Sequence, residues 1–326
     1  MANVILIGIG ITALSAAKSL LSTCNIQAIV RNVNLTNSQD DPVLALAQDN
    51  EIPVFSDTSQ SAIAALITKL QPDCVIVSSY NQILPPAIIE RTAFVNVHYS
   101  PLPQYRGRAN VNWALINNES YSAITIHRIV PDLDGGDILF QELIPIHLDD
   151  TVATLYERLN KIQAENLGKT IVNFLHGYEG IRQNKEEATY CCTRLPEDGV
   201  INWSASTQSI SQLIRALVDP FPGAYTYFQG ERMIIWHAQP ISNPPTYVGR
   251  VPGRVIGRSK TEGFIDVLTG DGVLRILEVQ VEGQSKMAAA NVVKSVKSTL
   301  GLQVSELLNR IRTLELDVIR LKEYAK

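Results

Sequence analysis

The stretch NVILIGIGITALSAAKSLLSTCNIQAIV, residues 3–30, decides the fold. It opens on an apolar run (NVILIG), passes through small residues into ALSAAKSLL at helical spacing, and returns to an apolar run, IQAIV. That is strand, turn, helix, strand. The order continues: ALITKL (65–70) reads as a helix end, DCVIVSS (73–79) as a buried strand, PPAIIE (85–90) as a short helix begun by proline, and FVNVH (94–98) as the next strand. The strands are continuous Val/Ile runs rather than alternations, which is how strands buried on both faces of a parallel sheet read. The first half is therefore expected to be a doubly wound α/β domain with a mostly parallel sheet.

From residue 122 the texture changes. SAITIHRIV and DILFQELIPI are strand-like and are joined by the turn formers of PDLDGG, and a helix is expected over 151–175. The polar segment 181–196 reads as a linker closing a first domain of residues 1–180. Beyond one helix (SISQLIRALVD), residues 197–285 hold short strands broken by Gly and Pro, as in a small β-rich, OB-like barrel. Residues 286–326 form a helical tail in which Leu300, Val304, Leu307, Ile311, Leu314, Val318 and Leu321 step alternately by four and three, a coiled-coil seam that would support a homodimer.

The chain has 326 residues, is 45% hydrophobic and 18% charged, and carries a net charge of −4. That balance leaves no basic footprint for nucleic acid at the level of the whole chain. No run approaches the length of a membrane span, the N-terminus lacks the basic start of a signal peptide, and the four cysteines have neither metal-site nor disulfide spacing. A cytoplasmic protein with no bound metal is expected. GIGITAL (8–14) resembles a dinucleotide fingerprint, yet the following strand ends in Arg31-Asn32 with no carboxylate to hold a ribose, so its glycines are read as making a tight turn.

The chemistry concentrates in FVNVHYSPLPQYRGRANVNWALINNE (94–119). Asn96 and His98 sit two apart on a strand and share a face. They lie at its C-terminal end, where open α/β sheets place ligands. Asp134, in a loop with adjacent glycines, can join them if the hairpin folds back. The three residue types suit acyl transfer to an amine. A neutral imidazole takes the proton, an amide N–H stabilises the oxyanion, and a carboxylate orients the imidazole and stabilises its cation.

NVHYSPLPQYRGR (96–108) resembles the N-x-H-x-S-L-L-P-x-Y-R-G motif of the 10-formyltetrahydrofolate-dependent formyltransferases. The run Asp134, Gly136, Asp137, Ile138 is similar to their second motif, 36 positions after His98. The resemblance covers about residues 1–285. It departs at Pro101, where the family has Leu, and at Asn110, where it has Pro. It implies Asn96, His98 and Asp134 as the catalytic trio and N10-formyltetrahydrofolate as formyl donor. It also implies a folate site at Ile83, Leu84, Ser100, Leu102, Leu133 and Asp137. In the same terms Arg106, Arg108, Asn112 and Trp113 resemble the acceptor-binding residues of the amino-sugar branch. With the acidic balance, and with no basic residue in NVNLTNSQDDP (32–42), a small-molecule amine is expected ahead of tRNA: a nucleotide-linked amino sugar first. Methionyl-tRNA and amino-acid-derived amines are the alternatives.

Overall fold

The computed structural model describes residues 1–31 and 42–324. NVNLTN and its neighbours, on which the absence of a basic insertion was read, lie outside the described residues, as does Asn32.

The chain divides into two compact units. The first comprises Met1–Ala114, Glu119–Asp150 and Thr154–Thr193. Its strands are β1 (Ala2–Gly8), β2 (Cys24–Val30), β3 (Val54–Phe55), β4 (Cys74–Ser78), β5 (Ala93–His98), β6 (Arg106–Gly107), β7 (Tyr121–Arg128), β8 (Ile138–Pro145) and β9 (Tyr190–Cys191). Between them run α1 (Gly10–Leu21), α2 (Pro42–Asp49), α3 (Gln60–Leu70), α4 (Pro86–Ile89), α5 (Asn110–Ile116) and α6 (Val152–Leu175). Seven strands form one sheet in the order β3-β2-β1-β4-β5-β7-β8. The first five are parallel and the β7–β8 hairpin adds to β5 antiparallel. The doubly wound α/β expectation is met.

The continuous apolar runs have the cause expected of them. Val4, Ile5, Leu6 and Ile7 point alternately to the two faces of β1, and all four are buried. Ile5 and Ile7 join Val75, Val77 and the α3 residues Ile63 and Ile67 in one core cluster. The GIGITAL glycines serve the turn: a Cβ on Gly8 would stand 1.9 Å from the Ser78 carbonyl oxygen of β4, so only glycine lets these two strands end side by side.

The segment expected to be a linker, 181–196, is instead largely part of this unit. Ile181 bridges Ile138, and β9 pairs with β6. Its polar composition concealed two backbone pairings too short to leave a periodic signal.

The second unit holds α7 (Thr207–Arg215), β10 (Ala224–Phe228), β11 (Glu231–Pro240), β12 (Val255–Arg258), β13 (Ile265–Leu268), β14 (Val273–Val281), β15 (Met287–Ala288), α8 (Ala289–Val292) and α9 (Val304–Tyr324). The strands form an antiparallel sheet, β10-β11-β14-β13-β12, with β15 paired to β14. Ser206 caps α7, and Asp271 accepts the Thr207 N–H at 2.8 Å. The helix buries Ile210 and Ile214. The tail begins later than expected. Residues 287–300 belong to this unit: Arg258 donates to the Ala290 and Val293 carbonyls, and Val293 and Leu300 are buried. Leu300 is therefore core, and the exposed seam starts at Val304. Among the described residues no helix is long and apolar enough to cross a membrane.

Replacing Gly8 with Ala must force β1 and β4 apart, because the atom it meets is backbone. Chemical denaturation is expected to show a loss of about 3 kcal/mol, the upper end for overpacking; an unchanged midpoint would contradict the close approach.

Candidate active site

Asn96 and His98 end β5 on the same face, as their spacing requires. The antiparallel partner strand places His127 directly opposite Asn96, and the two side chains meet, Asn96 Nδ2 to His127 Nε2, at 3.2 Å. The hairpin then returns Asp134 to the same place: its Oδ2 lies 3.8 Å from His98 Nδ1 and its Oδ1 lies 3.7 Å from His127 Nε2. The two imidazoles stand edge to face, 6.0 Å between centroids.

The loop holding Asp134 is fixed by close contacts. The Gly107 N–H donates to Asp134 Oδ2 at 2.8 Å. Gln183 Nε2 donates to the carbonyls of Asp134 and Gly136, both at 2.7 Å, and its own oxygen accepts from Arg106 at 2.8 Å. Asp134 is left-handed, φ +47°, a conformation unusual for a residue with a Cβ and sustained by this clamp. A Cβ on Gly136 would stand 1.9 Å from the Arg128 carbonyl, which is why the turn needs glycine there.

Hydrogen-bond partners assign the tautomers. The Arg128 carbonyl, 2.9 Å from His127 Nδ1, can only accept, so Nδ1 carries the proton and Nε2 accepts from Asn96. His127 is thus neutral, and its proximity to Asp134 is not an ion pair. Burial pushes its pKa down to about 4, outweighing the opposite pull of Asp134. At His98 the Tyr105 carbonyl, 3.0 Å from Nε2, likewise accepts. Asn110 Nδ2 donates to that same carbonyl at 2.6 Å, so its 3.2 Å approach to His98 Nε2 is that of two donors sharing an acceptor. The lone pair of neutral His98 is therefore on Nδ1, the side of Asp134. Among the described residues one N–H of Asn96 goes to His127 and the other meets no acceptor.

These groups open on a cavity of about 680 Å³, within the usual range for small-ligand sites. Asn96, His98, His127 and Asp134 form its polar wall, and Ile83, Leu84 and Leu133 an apolar one. Ile83 is 79% exposed, which leaves its side chain open to a ligand. Arg108 also lines the cavity, its guanidinium donating to the Asn81 carbonyl at 2.7 Å.

Other expected site residues lie elsewhere. Ser100 and Leu102 are buried off this wall: the Ser100 hydroxyl donates to the Gln104 carbonyl, and the carbonyls of Ser100 and Leu102 accept from Thr125 and Gln141. Their bonds hold the loop. Asp137 pairs with Arg128 at 3.7 Å, away from the wall. Arg106 and Asn112 are each only 1% exposed. Arg106 braces Gln183 and lies 3.5 Å from Asp132, so the motif arginine shapes the Asp134 loop. Trp113 donates to the Cys192 carbonyl at 2.9 Å and is absent from the wall. Sequence reasoning missed His127 and Gln183. For His127 the signal was available: it stands at the end of SAITIHRIV, the strand leading into the Asp134 loop.

Neutral, buried His127 makes stability fall in acid. Its folded pKa lies below the unfolded 6.5, so from pH 6.5 down to about 4 the unfolded chain takes up the proton first and folding weakens, by about 3 kcal/mol over that window. Denaturation curves of the parent and of His127→Gln should diverge in slope there; parallel curves would refute the neutral assignment.

Both halves of the chain are similar to known proteins. Residues 15–171 match the formyl transferase family model, and residues 195–297 match that of the formyl transferase C-terminal domain. The methionyl-tRNA formyltransferase of Alkaliphilus oremlandii is 36% identical over 252 residues, 76% of this chain and 79% of that protein. Among solved structures, HypX from Aquifex aeolicus in complex with tetrahydrofolic acid superposes with a TM-score of 0.63 at 16% identity, over 90% of this chain and 47% of that one. WlaRD, a sugar 3N-formyltransferase crystallised with dTDP and 5-N-formyl-THF, superposes with a TM-score of 0.61 at 20% identity, over 87% and 99%. At those identities the structural likenesses establish the fold. The sequence relationship establishes more: this chain belongs to the formyl transferase family.

Proposed function

We propose that the chain transfers the formyl group of N10-formyltetrahydrofolate to the α-amino group of an aminoacyl acceptor, methionyl-tRNA first among them. The observation that carries the acceptor is the 36% identity to a methionyl-tRNA formyltransferase across 79% of that protein.

The residues present fit a folate donor: apolar Ile83, Leu84 and Leu133 flank the cavity, beside a polar wall that contains an amide N–H without an acceptor among the described residues. In the proposed reaction the amine attacks the formyl carbon directly. Asn96, held by His127, donates its second N–H to the oxygen as it becomes an oxyanion. His98 Nδ1 takes the amine proton, and the imidazolium so formed is stabilised by Asp134 3.8 Å away. The intermediate collapses by breaking the bond to N10, and the proton held at His98 is returned to that nitrogen. No covalent adduct with the protein is needed.

An amino-sugar acceptor is the second reading, favoured by Arg108 on the cavity wall and by the net charge of −4. It is weakened by the burial of Arg106 and Asn112 and by the bonds that hold Arg108 to Asn81, because these three are among the residues that resemble the acceptor-binding set of the amino-sugar branch.

Formyl transfer by purified protein should be followed by mass spectrometry with 10-formyltetrahydrofolate and, in parallel, methionyl-tRNA and a dTDP-linked amino sugar. Formyl-methionyl-tRNA as product is expected. Product from the sugar alone overturns the acceptor, and none from either overturns this acceptor assignment. On the accepted substrate His98→Ala should lower kcat about 10³-fold and Asn96→Ala about 10²–10³-fold. A His98→Ala enzyme within tenfold of the parent would remove His98 from the role of base.

A further inference from the structure

Helix α9 presents an apolar stripe that no described residue covers. Ile311, Leu314, Val318 and Leu321 are each about half exposed or more. Only its first three turns lie beside the β10–β11 turn, at Gln229 and Gly230. An apolar stripe of this length in water requires an occupant.

The residue types along the stripe identify that occupant. In heptad register the a positions are Val304, Ile311 and Val318, all β-branched, and the d positions are Leu307, Leu314 and Leu321, all leucine. β-Branched residues at a with leucine at d is the arrangement that parallel two-stranded coils select. A helix lying on an irregular protein surface has no need to sort its aliphatic residues this way.

The flanking charges agree. Arg310 and Asp317 occupy successive g positions, and Glu315 and Lys322 the e positions that follow them. In a parallel, in-register pair each g residue meets the e residue of the next heptad on the other helix. Arg310 then faces Glu315 and Asp317 faces Lys322, each pair formed twice by symmetry. Asp317 also reaches Arg320 of its own helix at 4.0 Å, so the 310–315 pair is the cleaner probe. Leu308 at e widens the seam. Leu316 and Ile319, at f and b, lie off it and stay exposed in such a pair.

We propose that α9 binds α9 of a second copy of this chain as a parallel, in-register, two-stranded coiled coil. Three heptads span about 30 Å, so every layer counts and one polar seam residue is enough to open the coil. The pairing is independent of the acceptor assigned above.

The test uses the full chain in sedimentation equilibrium. A mass of twice 35.9 kDa is expected for the parent, and a single-chain mass for Ile311→Asp with unchanged circular dichroism outside the helical loss. Arg310→Glu alone and Glu315→Arg alone each set like charges across the seam and should raise the dissociation constant about tenfold. Mixing those two variants should restore dimers, because each new charge then meets its opposite in both symmetry-related pairs. A single-chain parent at tens of micromolar, a trimer, or a dimer that survives Ile311→Asp overturns the proposal. So does a mixture that fails to pair, since only the parallel register brings 310 against 315.

Discussion

The first unit is organised around one carboxylate. Asp134 lies within 4 Å of two buried histidines, and its position is set by backbone and by a neutral amide rather than by a cation: the Gly107 N–H on its oxygen, and Gln183 on its carbonyl. Arg106 acts one step back, through Gln183 and towards Asp132. That separation matters electrostatically. A guanidinium directly on Asp134 would offset the charge that, in the proposed reaction, stabilises an imidazolium, whereas a backbone N–H fixes the carboxylate without adding a countercharge.

Several features of the chain are consequences of holding that loop. The conspicuous arginine of the RGR motif is buried because its work is internal. The polar segment after α6 is ordered because β9 must sit beside β6 and Gln183 must reach the turn. β7 runs antiparallel to β5 and ends beside Val95, so it is the fold-back of the loop after it that brings Asp134 to the side chains of His98 and His127.

What the sequence disclosed follows the same lines. Strand and helix runs were legible because burial on two faces or one leaves a period, and Asn96 and His98 were legible because a strand puts alternate residues on one face. The sorting of direct from indirect residues was not legible. Arg106 and Arg108 are two apart in one loop, yet one is buried against Gln183, 77 residues away, and the other lines the cavity. Ser100 and Leu102 belong to the motif but face inward, since a motif records which residues must coexist and not which touch a ligand. The β6–β9 and β14–β15 pairings, two residues on a side, are too short for any periodic reading, and so the linker and the tail were both drawn too long.

The two histidines are held in two different ways. His127 is on a strand whose next carbonyl, that of Arg128, captures its Nδ1 proton, leaving Nε2 to hold the Asn96 amide. Protonation of His127 would remove that acceptor and turn Nε2 into a donor facing Asn96 Nδ2, so its burial and low pKa preserve the orientation of the amide. His98 is committed at the other nitrogen, by the Tyr105 carbonyl, and its free lone pair faces the carboxylate. In the proposed reaction a proton arriving at Nδ1 is therefore stabilised where it lands, and nothing need rotate for it to leave again by the same side. This differs from a relay in which the carboxylate holds the far nitrogen of the base. In the proposed reaction the carboxylate and the moving proton share one side of the ring, which suits an imidazole that accepts a proton from one nitrogen and delivers it to another within a single bound complex.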